Sequence, residues 1–147
     1  MDLYNLPHKE KLKIANNPDT APDVLGKLAK DTNWGVRGHV AANPKTGGND
    51  LRDLAKDPIF WVRTNVAENT NTPEEVLQEL VTDSVWEVRN YVARNINISS
   101  NTLIMLYEHE KTLKNTHLTV IDALYSNANL PKFAKRVIET LYGKELP

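Results

Sequence analysis

The sequence has no cysteine. That absence excludes disulfide bonds, thiolate nucleophiles, and zinc or iron–sulfur sites held by cysteine. It also suits a reducing compartment, so we expect a cytoplasmic protein. No apolar run approaches the roughly 20 residues of a membrane span, and Asp2 stands where a secretion signal carries basic residues. We therefore expect neither a membrane segment nor a cleaved signal.

An excess of charge of either sign is also missing. The chain has 18 Lys and Arg against 19 Asp and Glu, which gives a formal net charge of -1. No overall field therefore draws the protein to nucleic acid or to an anionic membrane. Binding of that kind would need a local basic patch.

Catalytic fingerprints are absent too. No glycine-rich phosphate loop, HExxH or GxSxG pattern occurs. The segment that holds Glu108, His109 and Glu110, with His117 beyond it, has groups that can bind metals, but their spacing forms no closed ligand set. We interpret it as a solvated charged loop. We predict that the protein is not an enzyme and needs neither a cofactor nor a metal.

What the sequence does contain is a repeat of 26 residues that needs no gap between Ile14 and Leu106. Small, apolar, aromatic and charged residues recur in the same columns. A repeat in so many columns indicates one structural unit that is used several times. The columns are Ile14, Val40, Val66 and Val92; Ala15, Ala41, Ala67 and Ala93; Asn17, Asn43, Asn69 and Asn95; Leu25, Leu51, Leu77 and Leu103; Leu28, Leu54, Leu80 and Leu106; Asp31, Asp57 and Asp83; Trp34, Phe60 and Trp86; Val36, Val62 and Val88; and Arg37, Arg63 and Arg89.

Each unit is predicted to form two short helices. Leu25, Leu28 and Ala29 share one helical face, and Val36 and Val40 share another. The recurrent asparagine, often followed by proline, is typical of a helix end in a left-handed turn. Helices of eight to ten residues are too short to be stable alone in water, so each must pack on its neighbours.

Helix starts are also visible. Thr72-Pro73-Glu74-Glu75 is typical of an N-cap followed by proline at the first helical position and an acid in the first turn. The last predicted helix runs from Pro131 to Tyr142 and is stopped by Gly143, and it carries Phe133, Val137, Ile138 and Leu141 on one face.

The predicted fold is all-α, an α-α superhelix (solenoid) of about five short helical repeats of the HEAT kind. We treat residues 1–147 as one domain. Residues 1–14 form an amino-terminal cap, 15–106 the regular repeats, and 107–117 an insertion. Residues 118–147 form a degenerate last repeat with a carboxy-terminal cap.

The unit from Asn69-Thr70-Asn71-Thr72-Pro73-Glu74-Glu75 through Leu77 and Leu80 to Asp83, Trp86, Arg89 and Ala93 resembles the leucine-rich repeat variant (LRV) family, a relative of HEAT repeats. The resemblance is strongest over residues 14–106. It implies a right-handed superhelix of short α and 3₁₀ helices that serves as a scaffold or binding surface. It implies no catalytic residue, and without cysteine the chain cannot hold the iron–sulfur cluster of the founding type.

Positions that vary between units while the framework stays constant are where a repeat protein can place recognition. Trp61 stands where the other units have Gly35 and Glu87, so the architecture does not require an aromatic residue there. We predict a surface for another protein or peptide on the helix face opposite the apolar side; an ordinary solvated face is the alternative. The predicted partner-binding residues are Trp61, Asn65, Glu87, Tyr91 and Arg94.

The arginine column leaves nucleic-acid binding open, because stacked units would present guanidinium groups about 10 Å apart. The stronger interpretation is structural, since each arginine follows an aspartate by six residues and such pairs tie neighbouring repeats together. We likewise expect the aromatic column to pack inside the array. A third possibility is a structural subunit that self-associates through its terminal repeats. A nucleic-acid site would use Arg63, Arg89, Arg94, Lys132, Lys135 and Arg136.

Overall fold

A computed structural model of the chain describes residues 3–143. This part of the chain forms one 3₁₀ turn, Leu3–Asn5, and ten α-helices, and it contains no β-strand. The protein is therefore all-helical, as the repeat predicts. The helices are α1 (His8–Asn16), α2 (Pro22–Leu28), α3 (Trp34–Ala42), α4 (Gly48–Leu54), α5 (Phe60–Glu68), α6 (Glu74–Leu80), α7 (Trp86–Arg94), α8 (Ser100–Thr112), α9 (Leu118–Ser126) and α10 (Lys132–Tyr142).

The helix starts follow the sequence repeat. Helices α1, α3, α5 and α7 begin at residues 8, 34, 60 and 86, and helices α2, α4, α6 and α8 begin at 22, 48, 74 and 100. The interval in both series is that of the sequence columns. The first fourteen residues, which we expected to be a cap, thus contain the start of a helix in register with the others.

The odd-numbered helices pack side by side in the order α1, α3, α5, α7 and α9. Each even-numbered helix packs against at least one odd-numbered neighbour in the chain. This packing is consistent with a helical repeat in which pairs of short helices stack along the array.

One hydrophobic core runs through all the units. The side chains of Leu25, Leu51, Leu77 and Leu103 are completely buried, together with the valine and alanine columns of the odd-numbered helices. Burying a leucine side chain contributes about 2 kcal/mol, and this is what holds even-numbered helices of only seven residues. The aromatic column is less buried than we expected, because Trp34 is half exposed.

The recurrent asparagines join neighbouring units. Each of Asn43, Asn69, Asn95 and Asn127 follows an odd-numbered helix, and its Nδ2 donates to two main-chain carbonyls of the unit before it. For Asn69 these carbonyls belong to Ala41, at 2.7 Å, and Asn43, at 2.9 Å. The Oδ1 atom of each accepts from the amide two residues further on. We call this series the asparagine ladder.

The backbone conformation of the recurrent asparagines differs from our prediction for this column. The left-handed turn is wrong: the asparagines after α1, α3, α5, α7 and α9 have φ between -75° and -62° and ψ between 119° and 128°, an extended conformation. The column needs asparagine because one amide side chain supplies two donors and an acceptor at the same point.

Thr72 is not the N-cap that we predicted. The N-cap position of α6 is Pro73, and the Thr72 hydroxyl instead donates to the carbonyl of Val66, 2.5 Å away, at the end of α5. The threonine thus satisfies a carbonyl that the helix end leaves open. The equivalent bonds join Thr20 to Ile14 and Thr46 to Val40.

Ion pairs form a second series of links between units. Arg63 Nε and Nη2 lie 2.6 and 3.0 Å from the two carboxylate oxygens of Asp83, and Nη1 donates to the Asp57 carbonyl of its own unit. The prediction that the arginine column ties neighbours together is confirmed, although the carboxylate belongs to the following unit. The pairs are Lys11 with Asp31, Arg37 with Asp57, Arg63 with Asp83, and Arg89 with Glu110.

Helix α9 begins 32 residues after the start of α7, six more than the repeat of 26, and these six residues lengthen α8. Helix α8 has 13 residues where α2, α4 and α6 have seven, so residues 108–112 are helical and our prediction of a loop there is wrong. The longer helix carries Glu110 into the interior, where its Oε1 lies 2.5 Å from Arg89 Nε. A glutamate on a helix therefore replaces the recurrent aspartate in this unit.

Helix α10 ends at Tyr142 and is followed by Gly143 as its C-cap, whose φ of 64° is the left-handed conformation that glycine adopts without strain. Ala134 and Ile138 of this helix are buried in the core. The single apolar face that we predicted is divided, because Phe133, Val137 and Leu141 point outward and are exposed.

Candidate interaction surface

Helices α5 and α7 each have an accessible face opposite the side that packs in the core. On α5 the accessible residues at helical spacing are Trp61, Asn65 and Glu68, while Val62 and Val66 face the core. Helix α7 repeats this division 26 residues later with Glu87, Tyr91 and Arg94. Because the two helices pack side by side, their accessible faces belong to a common surface.

Three adjoining clefts lie on this surface, at the carboxyl ends of the helices. The first lies between α3 and α5, the second between α5 and α7, and the third between α7 and α9. Glu68 and Thr70 line both the first and the second cleft, and Arg94 and Ile96 line both the second and the third. The clefts therefore adjoin one another along these shared side chains, and we call the row of three clefts the groove.

The middle of the groove combines an apolar contact area with charges of both signs. Tyr91 is half-buried against the core, and Ile96 exposes 72% of its surface. Glu68 and Arg94 line the same cleft and are exposed. A surface of this kind suits a protein segment, because the aromatic and aliphatic side chains give contact area and the charges give orientation.

Hydrogen bonds hold several groove residues in place. Asn65 Nδ2 donates to the Gly38 carbonyl of α3 at 3.0 Å. A Cβ atom at position 38 would lie 3.4 Å from that amide nitrogen, at ordinary van der Waals distance. Arg94 Nε lies 3.5 Å from Asn90 Oδ1, one turn earlier on the same helix. The groove is thus lined in part by side chains whose positions the framework sets.

The structure places the predicted partner-binding residues in two parts of one surface. Asn65, Tyr91 and Arg94 line the groove. Trp61 and Glu87 lie nearer the amino ends of α5 and α7, outside those three clefts, where Trp61 is half exposed with its ring centroid 4.8 Å from that of Phe60.

Sequence reasoning missed Ile96 and Thr70, and it left Glu68 out of the predicted partner-binding residues although Glu68 lies on the same variable helix face. The signal for Ile96 was present, because its equivalents in the other units are Pro18, Pro44 and Thr70, and an isoleucine in such a column contributes nothing to the framework. The prediction considered variable positions within the helices alone, and Ile96 lies just after one.

The residues of the predicted nucleic-acid site lie in different settings. Arg63 and Arg89 hold carboxylates of the next unit, and Arg89 is only 5% exposed. Ion pairing to Asp83 is the main cause that raises the pKa of Arg63. Arg94 lines the groove. On α10, Lys132 and Arg136 are exposed, and Lys135 Nζ lies 5.8 Å above the Tyr125 ring.

A polar cluster surrounds the connection between α8 and α9. The rings of Trp86 and His117 stack at 3.8 Å with 4° between their planes. Within residues 3–143, the buried side-chain atoms without a hydrogen-bond partner are Tyr107 Oη, Glu110 Oε2 and His117 Nδ1. Burial raises the pKa of the Tyr107 hydroxyl. Residues 3–143 also contain no group of three His, Asp or Glu side chains that could hold a metal ion.

None of the helices described is both long enough and apolar enough to cross a bilayer. Comparison with protein-family models, with curated proteins and with solved structures found no match to this chain.

Proposed function

We propose that the chain is a solenoid of stacked helical units that works as a protein-interaction module, and that the groove receives a segment of a partner protein. The membership in the LRV and HEAT class that the sequence pattern implies, the superhelix and the cytoplasmic location are parts of this proposal. The observation that carries it is the row of adjoining clefts across α3, α5, α7 and α9, in which Tyr91 and Ile96 share the middle cleft with the opposite charges of Glu68 and Arg94.

The dimensions of the groove fit an extended segment. Packed helices lie about 8–10 Å apart, and an extended chain advances about 3.3 Å per residue. Each interval between neighbouring helices therefore matches about three residues of a bound segment, and the three intervals between the four helices match about nine. A bound segment of this length would cross Tyr91 and Ile96 at one place, and its side chains there would contact both residues.

Nucleic acid is the less favoured partner. Arg63 and Arg89 already bind carboxylates, so releasing them for phosphate would break links between units. The groove itself carries Glu68 beside Arg94. Nucleic acid would favour cations alone in such a place.

The proposal is tested by exchanging groove residues while the framework stays intact. Tyr91→Ala combined with Ile96→Asp removes the apolar contact area, and Met105→Ala, exposed on α8 away from the groove, is the matched control. The wild type, the groove variant and the control are immobilised and exposed to a lysate of the source cells. The proteins that each one retains are identified with and without nuclease treatment of the lysate. We expect a protein that the wild type and the control retain under both conditions and that the groove variant loses.

Two results would contradict the proposal. Retention that disappears with nuclease would favour nucleic acid, and retention of the same protein by the groove variant would exclude the groove. Thermal melting followed by circular dichroism checks that the groove variant is folded, which we expect because Ile96 is largely exposed and Tyr91 is only half-buried.

A further inference from the structure

Helix α10 has an apolar stripe that the fold does not use. Phe133, Val137 and Leu141 recur every four residues on one side of the helix and are 63%, 43% and 59% exposed. The neighbouring row, Ala134 and Ile138, is buried in the core. The stripe is thus an outward face of the helix, and no other described part of the chain covers it.

The register of the units shows that this stripe is specific to α10. Phe133 and Val137 are the second and sixth residues of their helix, and both positions are exposed in every even-numbered helix. Packing of the framework therefore does not require apolar side chains at these two positions. The earlier helices have polar residues at these positions, except for one methionine: Asp23 and Lys27, Asn49 and Asp53, Glu75 and Glu79, and Asn101 and Met105.

Cations border the stripe along one edge. Lys132 and Arg136 each precede a stripe residue by one position, which places them about 100° round the helix. Both are exposed, and among residues 3–143 neither has an ion-pair partner. An occupant that covers the stripe therefore meets unpaired positive charge at its edge.

We propose that α10 is a second docking site, independent of the groove, for an amphipathic helix of a partner protein that has an acidic edge. Its apolar residues, spaced three and four apart, pack between Phe133, Val137 and Leu141. Its carboxylates lie beside Lys132 and Arg136. The apolar contact provides the affinity, and the charges set the orientation and the choice of partner.

Other occupants fit the stripe less well. An antiparallel two-fold pairing of α10 with a second copy brings the two cationic edges together. An anionic membrane surface generally needs clusters of four to eight basic residues, whereas α10 has Lys132, Lys135 and Arg136 together with Glu139. Nucleic acid would leave the apolar stripe without a complementary surface.

The test uses the full chain and a display library of helical 20-residue peptides. Every peptide has leucine at i, i+3, i+4 and i+7, and the remaining positions vary among Glu, Lys, Gln and Ala. We expect the selected peptides to be enriched in Glu at one edge. The double variant Phe133→Ser and Leu141→Ser should bind the best peptide at least tenfold more weakly than the wild type. The single substitution Ile96→Asp, in the groove, should leave the affinity for this peptide unchanged.

Charge reversal adds a second readout. Lys132→Glu with Arg136→Glu should shift the selection from Glu-rich to Lys-rich peptides, because the charges at the edge then have the opposite sign. Affinity of the wild type for the acidic peptide should fall several-fold between low and high salt, since exposed charge pairs are screened. All the substituted side chains are exposed, so unchanged melting curves should accompany these effects.

The proposal is overturned if the selected peptides show no acidic bias, or if they bind the Phe133→Ser and Leu141→Ser variant as tightly as the wild type. It is also overturned if sedimentation shows a wild-type dimer that this variant dissociates, because the occupant is then a second copy. Binding to phosphatidylserine vesicles that requires the stripe, without selection of any peptide, would assign it to membranes instead.

Discussion

Replacing Asn69 by alanine tests whether the asparagine ladder holds the units together. The side chain is 6% exposed and makes three hydrogen bonds to the main chain: to the carbonyls of Ala41 and Asn43 at 2.7 and 2.9 Å, and from the amide of Asn71 at 2.9 Å. Alanine removes all three and leaves two carbonyls without these donors in the interior.

The size of the effect can be worked out from these contacts. Each intramolecular hydrogen bond contributes about 1 kcal/mol net, and a buried group left unsatisfied costs about 1–3 kcal/mol. We therefore expect Asn69→Ala to lower the free energy of unfolding by about 3–4 kcal/mol. Asn69→Asp should cost more at neutral pH, because a carboxylate oxygen then faces two carbonyl oxygens.

Asn17 is the matched control, because it belongs to the same column but to the first unit. It is exposed, and the hydrogen bond of its side chain is the one that Oδ1 accepts from the Asp19 amide at 3.0 Å. Asn17→Ala should therefore cost only about 0.5–1 kcal/mol. The comparison separates the links between units from the local effect of the turn.

The assay is equilibrium unfolding in urea, followed by circular dichroism and by tryptophan fluorescence. Coincident transitions show that unfolding is cooperative and that one free energy describes it. The ladder does not hold the units together if the Asn69 and Asn17 variants differ by less than about 0.5 kcal/mol, which is the range of ordinary surface substitutions.

Two further predictions concern the charged links. Burial acts to raise the pKa of Asp31, but hydrogen bonds from Lys11 and the Asn33 amide bring it below the ordinary value. The pKa of Glu74 is also below its ordinary value, although burial acts to raise it. Since the unfolded state binds these protons more tightly, their stabilisation should be complete above about pH 5 and be lost as pH falls through 4 and below. Urea midpoints at pH 6, 4 and 3 measure this, and Asp31→Asn should flatten the profile; an unchanged slope contradicts it. Glu110→Ala should cost about 3–5 kcal/mol by leaving buried Arg89 unpaired. Unfolding of that variant measures the loss, and a cost below about 1 kcal/mol, as for an exposed pair, would contradict it.

The positions of the helices could be predicted because the repeat supplies many observations of the same unit. A single unit would have given one observation of each position, whereas the aligned units give three or four. The apolar spacing within Leu25, Leu28 and Ala29 then identified the buried face. Local chemistry and the period of an α-helix were sufficient for this part of the fold.

Contacts between units were harder to predict. The carbonyl that Asn69 reaches lies 28 residues earlier in the chain, so the local rule for asparagine at a helix end favoured a left-handed turn instead. The extension of α8 was missed for a similar reason: Glu110 is stabilised in the interior by Arg89, 21 residues earlier. Only the packed array brings these partners together.

The candidate site was predicted in part. Asn65, Tyr91 and Arg94 were found because they vary on an accessible helix face, and the structure places them in the groove. Ile96 lies beyond the helix, in a column of prolines and a threonine. Unexpected residues in every column, and not only in the helical ones, are therefore candidates for recognition in a repeat of this kind.

The asparagine ladder has a direction, and this bears on how the length of such a protein can change. Every amide reaches back to the unit before it and none reaches forward, so the bonds at one junction do not depend on the units beyond it. If residues 43–68 were excised, Asn69 would take the position of Asn43 and face the carbonyls of Ala15 and Asn17, which Asn43 binds at 2.8 and 2.9 Å. Duplication or loss of one whole unit therefore conserves the ladder bonds at every remaining junction, and gene rearrangements with a period of 26 codons are the changes of length that the ladder tolerates.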